Sequence, residues 1–215
     1  MNQNFKELKN NNNQEKKYKN GKYIGQFVNG LREGKGIMYW NIGDLCFRYE
    51  GDWKNDKIEG KGIHYYLLGD RYEGEFKNDK REGKWIYYYK FGGRIYEGDW
   101  KNDKREGKGI YYNRRGDRYE GDWRDDKMEG KGIYYYKNGD RYEGDFKDDE
   151  IVGKGIMYYN DGDRYEGDFK NEKPNGKGIF YYKNGERHEG QFHKGKPVGI
   201  HIKYLVDGKI EKVEY

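Results

Sequence analysis

The hydrophobic positions of this chain are mostly aromatic, and they alternate with polar ones. In Tyr96-Glu97-Gly98-Asp99-Trp100 the rings and the glycine take the first, third and fifth places and the acids take the others. That period of two predicts a half-buried β-strand. Asn102-Asp103-Lys104-Arg105 follows with turn chemistry. Gly107-Lys108-Gly109-Ile110-Tyr111-Tyr112 then predicts a second strand, and Arg115-Gly116-Asp117 turns the chain back. Elsewhere that connection is Asn-Gly, as at Asn138-Gly139 and Asn184-Gly185, a strong hairpin signal. No stretch carries the apolar spacing of a helix.

The pattern repeats. Units begin near 23, 49, 72, 96, 119, 142, 165 and 188, at steps of 26, 23, 24, 23, 23, 23 and 23. A fixed period of this size predicts a solenoid in which each unit buries its apolar face only against its neighbours. The expected fold is all-β: an elongated, single-layer antiparallel β-meander of about eight hairpins. At two strands per unit and ~4.8 Å per strand it would run roughly 75 Å. Glycines between the rings, as at Gly121 and Gly132, predict grooves in which a ring lies against bare backbone.

Composition sharpens this picture. The chain has 215 residues and is 33% hydrophobic and 39% charged, figures that alone would suggest disorder. Its 25 Tyr, 9 Phe and 5 Trp instead supply an aromatic core. Six lysines and two glutamates place +4 of the +5 net charge in residues 1–22, which leaves +1 for the repeats. A nearly neutral array argues against a nucleic-acid partner. The Asn/Lys-rich segment 1–22 is expected to be a loose tail, and Lys16, Lys17, Lys19 and Lys22 are its candidates for weak contact with an anionic membrane. The single cysteine, Cys46, rules out an intrachain disulfide and fits a reducing compartment. No apolar stretch reaches the ~20 residues that span a bilayer. A cytoplasmic location is expected.

Tyr119-Glu120-Gly121-Asp122-Trp123, with Gly130-Lys131-Gly132 and Gly139-Asp140, resembles the MORN repeat (membrane occupation and recognition nexus). The resemblance covers residues 23 to about 208. One departure recurs: after Asn29-Gly30, most turns carry Asn-Asp or Asp-Asp in place of Asn-Gly, as at Asn78-Asp79 and Asp125-Asp126. Asp tolerates the left-handed conformation, so the turn should survive. The resemblance implies a scaffold in cytoskeletal assemblies, including radial-spoke heads and other axonemal complexes of cilia. It also implies a rival reading as a lipid-binding module.

No catalytic constellation or cofactor motif emerges. Three of the four histidines (His188, His193 and His201; the fourth is His64) lie in the last unit, without zinc spacing. Asp44, Asp70, Asp117, Asp140 and Asp163 recur after turn glycines, but an Arg usually follows, which reads as turn chemistry rather than a calcium site. The expectation is a non-enzymatic protein with no metal and no cofactor.

The second strand is aromatic on both faces. Tyr39, Tyr65, Tyr88, Tyr112, Tyr135, Tyr158, Tyr181 and Tyr204 form one set; Met38, Tyr87, Tyr111, Tyr134, Met157 and Phe180 form the other. One set should build the internal ladder. The other is either shielded by Lys and Arg stems or left as a stripe for a partner, a second copy or the tail. Trp85 stands where six units have Gly. Two readings are open: a local bulge tolerates it, or it projects as an anchor. On the second reading Trp85, Tyr87, Tyr88, Tyr111, Tyr112 and Tyr135 form a protein-binding site. The partners would be proteins of a larger assembly, with a homo-oligomer or a larger enzyme complex as further options.

Overall fold

A computed structural model describes residues 13–42 and 45–215. Lys6, Lys9 and Asp44 fall outside the described residues. These contain eighteen strands and no helix, and the chain divides into two compact units, 1–105 and 106–215.

In the first unit the strands are β1 (Gln14–Tyr18), β2 (Gly21–Val28), β3 (Leu31–Ile42), β4 (Leu45–Lys54), β5 (Lys57–Tyr65), β6 (Arg71–Lys77), β7 (Lys80–Tyr88) and β8 (Arg94–Lys101). Each pairs antiparallel with the next. The second unit opens within β9 (Lys104–Tyr112). It continues through β10 (Arg118–Arg124), β11 (Lys127–Tyr135), β12 (Arg141–Lys147), β13 (Glu150–Tyr158) and β14 (Arg164–Lys170). It ends with β15 (Lys173–Tyr181), β16 (Arg187–His193), β17 (Lys196–Tyr204) and β18 (Ile210–Glu214). The pairing is again a simple meander. Each unit is a single β-layer.

The meander begins before residue 23. β1 pairs with β2 from Gln14↔Gly25 to Tyr18↔Gly21. This corrects the expectation of a loose tail for residues 14–22. Every side chain of β1 is exposed, so the strand joins through its backbone, which completes the open edge of β2.

One hairpin explains the rest. β10 and β11 pair Arg118↔Tyr135, Tyr119↔Tyr134, Glu120↔Ile133 and Gly121↔Gly132. Alternation puts Tyr119, Gly121 and Trp123 on one face with Gly132 and Tyr134, and puts Arg118 and Glu120 on the other with Ile133 and Tyr135. The Tyr119 ring is fully buried and lies across the glycine pair. A Cβ on Gly121 would stand 2.3 Å from Tyr119 Oη, and one on Gly132 would stand 2.5 Å from the ring. The sheet thus packs rings against bare backbone, a close approach that only glycine permits. The phenol donates a hydrogen bond to Asp122 O at 2.8 Å, which satisfies its polar tip. Tyr119 meets Trp123 edge-on at 5.3 Å and Phe146 of the next hairpin at 4.9 Å. Tyr142, Phe169, Tyr165 and Phe192 extend the same T-shaped chain.

The turns account for the departure from Asn-Gly. Asn55 and Asp56 have φ of 49° and 67°, the pair of left-handed residues that a tight hairpin turn requires. Asp is kept at the second place because its carboxylate reaches back one hairpin. Asp56 Oδ1 accepts from Arg32 N at 2.9 Å, Asp79 Oδ1 from Ile58 N at 2.7 Å, Asp103 Oδ1 from Arg81 N at 2.9 Å and Asp149 Oδ1 from Met128 N at 2.8 Å. The turn of the last hairpin has Gly195 instead, and the residue it would reach is Pro174, which has no N–H to donate. The backbone bond from Gly195 N to Pro174 O remains there, at 2.9 Å, without the carboxylate latch. The opposite edge is laced in the same way: Asp70, Asp117, Asp140 and Asp163 accept from the backbone N–H of Lys90, Lys137, Asn160 and Lys183 in the following turn.

Candidate functional site

The two faces have different chemistry. On one, Tyr65, Tyr88, Tyr135, Tyr158, Tyr181 and Tyr204, each two residues after a second-strand Ile, lie under an arginine, while Tyr39 has Lys22 over its ring. Arg118 stands 4.1 Å from the Tyr135 ring, Arg141 4.2 Å from Tyr158 and Arg164 4.2 Å from Tyr181. The same guanidinium groups pair with Glu120, Glu143 and Glu166. In the first unit Arg48 covers Tyr65 and Arg71 covers Tyr88 in the same manner. Cation–π contact and aliphatic stems shield this set.

The other face carries the buried ring groove and, beside it, a half-buried aromatic strip. In the second unit Tyr134 meets Tyr136 at 4.6 Å, Tyr159 meets Phe180 at 5.8 Å and Phe180 meets Tyr182 at 4.8 Å. Burial first, and then the Asp117 carboxylate, push the Tyr134 phenol up to about 12. Burial raises Tyr136, Tyr159 and Tyr182 as well. In the first unit Tyr66, Tyr72 and Tyr87 continue the motif, with Tyr72 stacked on Tyr87 at 3.9 Å.

Trp85 is not a projecting anchor. It is 1% exposed and occupies the ring groove, so it has no area left to offer a partner. Opposite Gly74, its ring would stand 2.4 Å from an added Cβ, and its Nε1 donates to Glu75 O at 2.7 Å and Glu82 O at 2.9 Å. The indole fits into the packed groove because Tyr72 has left it and stacks outside on Tyr87. His201 repeats the exchange. It is fully buried, packs over Gly190 and lies 2.8 Å from Gln191 O through Nε2. His188, the residue at the motif Tyr position, sits beside Tyr182 instead. Each groove holds one ring, supplied from either strand. The signal for this was present in the last unit, where His replaces both the motif Tyr and the facing Gly.

The remaining predicted partner residues do not form one patch. Alternation sends Tyr87 and Tyr111 to the aromatic-strip face of their strands and Tyr88, Tyr112 and Tyr135 to the other. The tail lysines also divide. Lys16 lies near the Phe27 ring, whereas Lys17 faces Lys22, and Lys22 pairs with Glu15 at 3.7 Å.

The turn acids are occupied by backbone donors, and no group of three His, Cys, Asp or Glu suited to a metal occurs among the described residues. His64 sits among Trp40, Phe47 and Tyr66. Burial, with a smaller contribution from Arg81, holds its pKa below the ordinary value. Burial likewise lowers His188.

No curated protein matches the chain. Among solved structures it is similar to a catalytically inactive virginiamycin B lyase from Staphylococcus aureus crystallised with quinupristin. That likeness has 13% identity and a TM-score of 0.18, and covers 96% of this chain and 71% of that one. The family model for the MORN repeat matches residues 23–45, 49–66, 72–90, 96–118, 119–141, 142–164, 165–187 and 188–200. With eight repeats matched along most of its length, and with the hairpin register described above, the chain belongs to the MORN repeat family.

Proposed function

We propose that this chain is a non-enzymatic scaffold that holds partner proteins along its half-buried aromatic strip, within a cytoskeletal assembly of the axonemal kind. One observation carries the reading. The repeated acids and arginines are consumed in bonds within the array, while Tyr136, Tyr159, Phe180 and Tyr182 recur with apolar edges still accessible. Aromatics at regular spacing on a rigid layer offer large contact area at small ordering cost, as interface hot spots do. Tyr111 belongs to this strip in the second unit; Tyr87, stacked on Tyr72, belongs to the aromatic cluster of the first. The proposed setting is the cytoplasm of a ciliated cell, in an assembly such as a radial-spoke head.

The test uses the full chain and a triple variant, Tyr136→Ser, Tyr159→Ser and Tyr182→Ser, expressed with a tag in ciliated cells. Retention of the wild type in the detergent-resistant axonemal fraction, and release of a folded triple variant, is the expected result. Equal retention of both sinks the strip as the interface. Absence of both from that fraction sinks the axonemal setting.

A further inference from the structure

Three hairpins of the second unit supply the strip from the same two positions. They pair Tyr134 with Tyr136, Met157 with Tyr159 and Phe180 with Tyr182. Tyr136, Tyr159 and Tyr182 are all half-buried, so each hairpin adds one ring with an accessible edge. Successive rings of this row are two strand spacings apart, ~9.6 Å. The hydroxyls of Tyr134 and Tyr182 are engaged, by Asp117 Oδ2 at 3.3 Å and His188 Nδ1 at 3.1 Å. Those of Tyr136 and Tyr159 make no hydrogen bond with the described residues, and each is a donor ready for an acceptor brought to the strip.

The turn that follows Tyr159 departs from its neighbours in charge. The flanking turns carry Lys137-Asn138 and Lys183-Asn184, and this one carries Asn160-Asp161. Asp161 Oδ1 accepts from Asp163 N at 3.0 Å. Asn138 accepts from Asp140 N at 3.0 Å and Asn184 from Glu186 N at 2.9 Å in the same way. Asn therefore serves the turn equally well, and the charge of Asp161 is surplus to folding. Asp140 and Asp163 accept from the backbone N–H of Asn160 and Lys183 at 2.9 and 2.8 Å. Such bonds occupy oxygens without cancelling charge, and none of the three carboxylates forms an ion pair among the described residues. Burial first, and then these three carboxylates, hold the Tyr159 phenol above its ordinary pKa. The middle of the strip thus carries a negative field that the array does not neutralise.

We propose, resting on the reading of this strip as the protein interface, that the segment it takes is proline-rich and basic. The segment lies across the strands as a polyproline II helix, with an arginine at Asp161 and Asp163. Register selects the conformer. Three residues of polyproline II rise ~9.3 Å, within ~0.3 Å of the hairpin step. Two turns of an α-helix rise ~10.8 Å, and a β-strand repeats every ~6.8 Å, so both lose step across three rings. Chemistry agrees with register. A polyproline II helix makes no internal hydrogen bonds, so its carbonyls need outside donors, and the free hydroxyls of Tyr136 and Tyr159 supply them. Proline has no N–H, so the strip needs no acceptor for it. Prolyl rings pack on aromatic edges at small ordering cost. The uncancelled carboxylates complement a guanidinium.

The experiment is calorimetric titration of the full chain with a peptide of about twelve residues made of Arg-Pro-Pro repeats, long enough to pass all three rings at ~3.1 Å per residue. Arg-Ser-Gly repeats keep its charge and lose the conformer. Glu-Pro-Pro repeats keep the conformer and invert the charge. The wild type is expected to bind the first peptide about tenfold or more tighter than either control. Tyr136→Phe with Tyr159→Phe keeps the rings and removes both donors; it should weaken binding about fivefold at an unchanged melting temperature. Asp161→Asn installs the residue of the flanking turns and should weaken binding about threefold at low salt, and less at about 0.5 M. The proposal is overturned if Arg-Ser-Gly repeats bind as well as Arg-Pro-Pro, or if the folded double Phe variant and Asp161→Asn both bind like the wild type. It is also overturned if no peptide binds. Should the triple serine variant still leave the axonemal fraction in that case, the strip stands as the interface and only its proline-rich partner is lost.

Discussion

The exchange at Trp85 can be transplanted. If each groove admits one ring from either strand, Gly132→Trp should be severely destabilising alone, because its Cβ would stand 2.5 Å from the Tyr119 ring. Overpacking of this kind costs about 1–3 kcal/mol, and more where the ring it meets cannot move. Tyr119→Ala alone empties a groove whose occupant is fully buried, and aromatic-to-alanine changes in cores cost about 3–5 kcal/mol. Summed as independent effects, the pair would lose roughly 4–8 kcal/mol, most of a typical domain's stability. The double variant Gly132→Trp with Tyr119→Ala instead rebuilds what Trp85 does beside Gly74, with an indole N–H in place of the phenol donor. It should lie within about 2 kcal/mol of the wild type, which implies a favourable coupling of at least about 2 kcal/mol. Urea unfolding followed by tyrosine and tryptophan fluorescence reads this from the midpoint, provided the slope is unchanged. A double variant as unstable as the sum of its singles would refute the one-ring rule and leave Trp85 a local irregularity.

Three further outcomes are expected. Asp149→Ala loses the bond to Met128 N and places Ala at a φ of 70°; it should cost about 2 kcal/mol, Asp149→Asn less than about 1, and hydrogen exchange at the Met128 amide should rise only in the first. Burial disfavours the charged forms of His64 and His188, so the unfolded chain takes up more protons, and stability should fall as pH drops below about 6.5. His64→Tyr with His188→Tyr, the residues of other units, should flatten that loss of melting temperature; an unchanged acid limb would contradict the assignment. Replacing Lys16, Lys17 and Lys19 with Gln should leave the melting temperature unchanged within error, since all three side chains are exposed; a marked drop would mean that these lysines support the meander.

Much of the fold was legible because its chemistry is local. Alternation in Tyr119–Trp123 fixed the strand, Asn184-Gly185 fixed a turn, and the paired glycines announced the ring groove. What stayed hidden depends on contacts between repeats. Trp85 reads as an intruder until Tyr72 is seen to have moved aside, and single-strand alternation cannot reveal which of two facing strands fills a shared space. β1 escaped notice because it contributes backbone and no core. The aromatic strip was half visible: the second strand's two ring sets were evident, but the arginines that shield Tyr135 and Tyr158 reach them from the paired strand. Asp at the second turn position looked like a tolerated variant of Gly, although its carboxylate does the joining. The co-occurrence of Pro174 with Gly195 encoded that rule in the sequence.

That co-occurrence grades the array. In a repeat protein, stability is close to a sum of terms between nearest neighbours, so one weaker joint matters more than it would in a globule. Where Gly195 faces Pro174, the side-chain latch found at Asp149 is missing. The hairpin of β16 and β17 is therefore held to the preceding one by its ladder, its rings and the bond from Lys194 N to Asn175 Oδ1. Thermal opening should start at this C-terminal end, at this joint or at the one before it, where Glu172 replaces the latching Asp and Glu172 N reaches Ile151 O at 3.4 Å, while the hairpins latched by Asp stay closed. Pulled from its C-terminal side, the array would yield there first, as a fuse rather than a uniform spring.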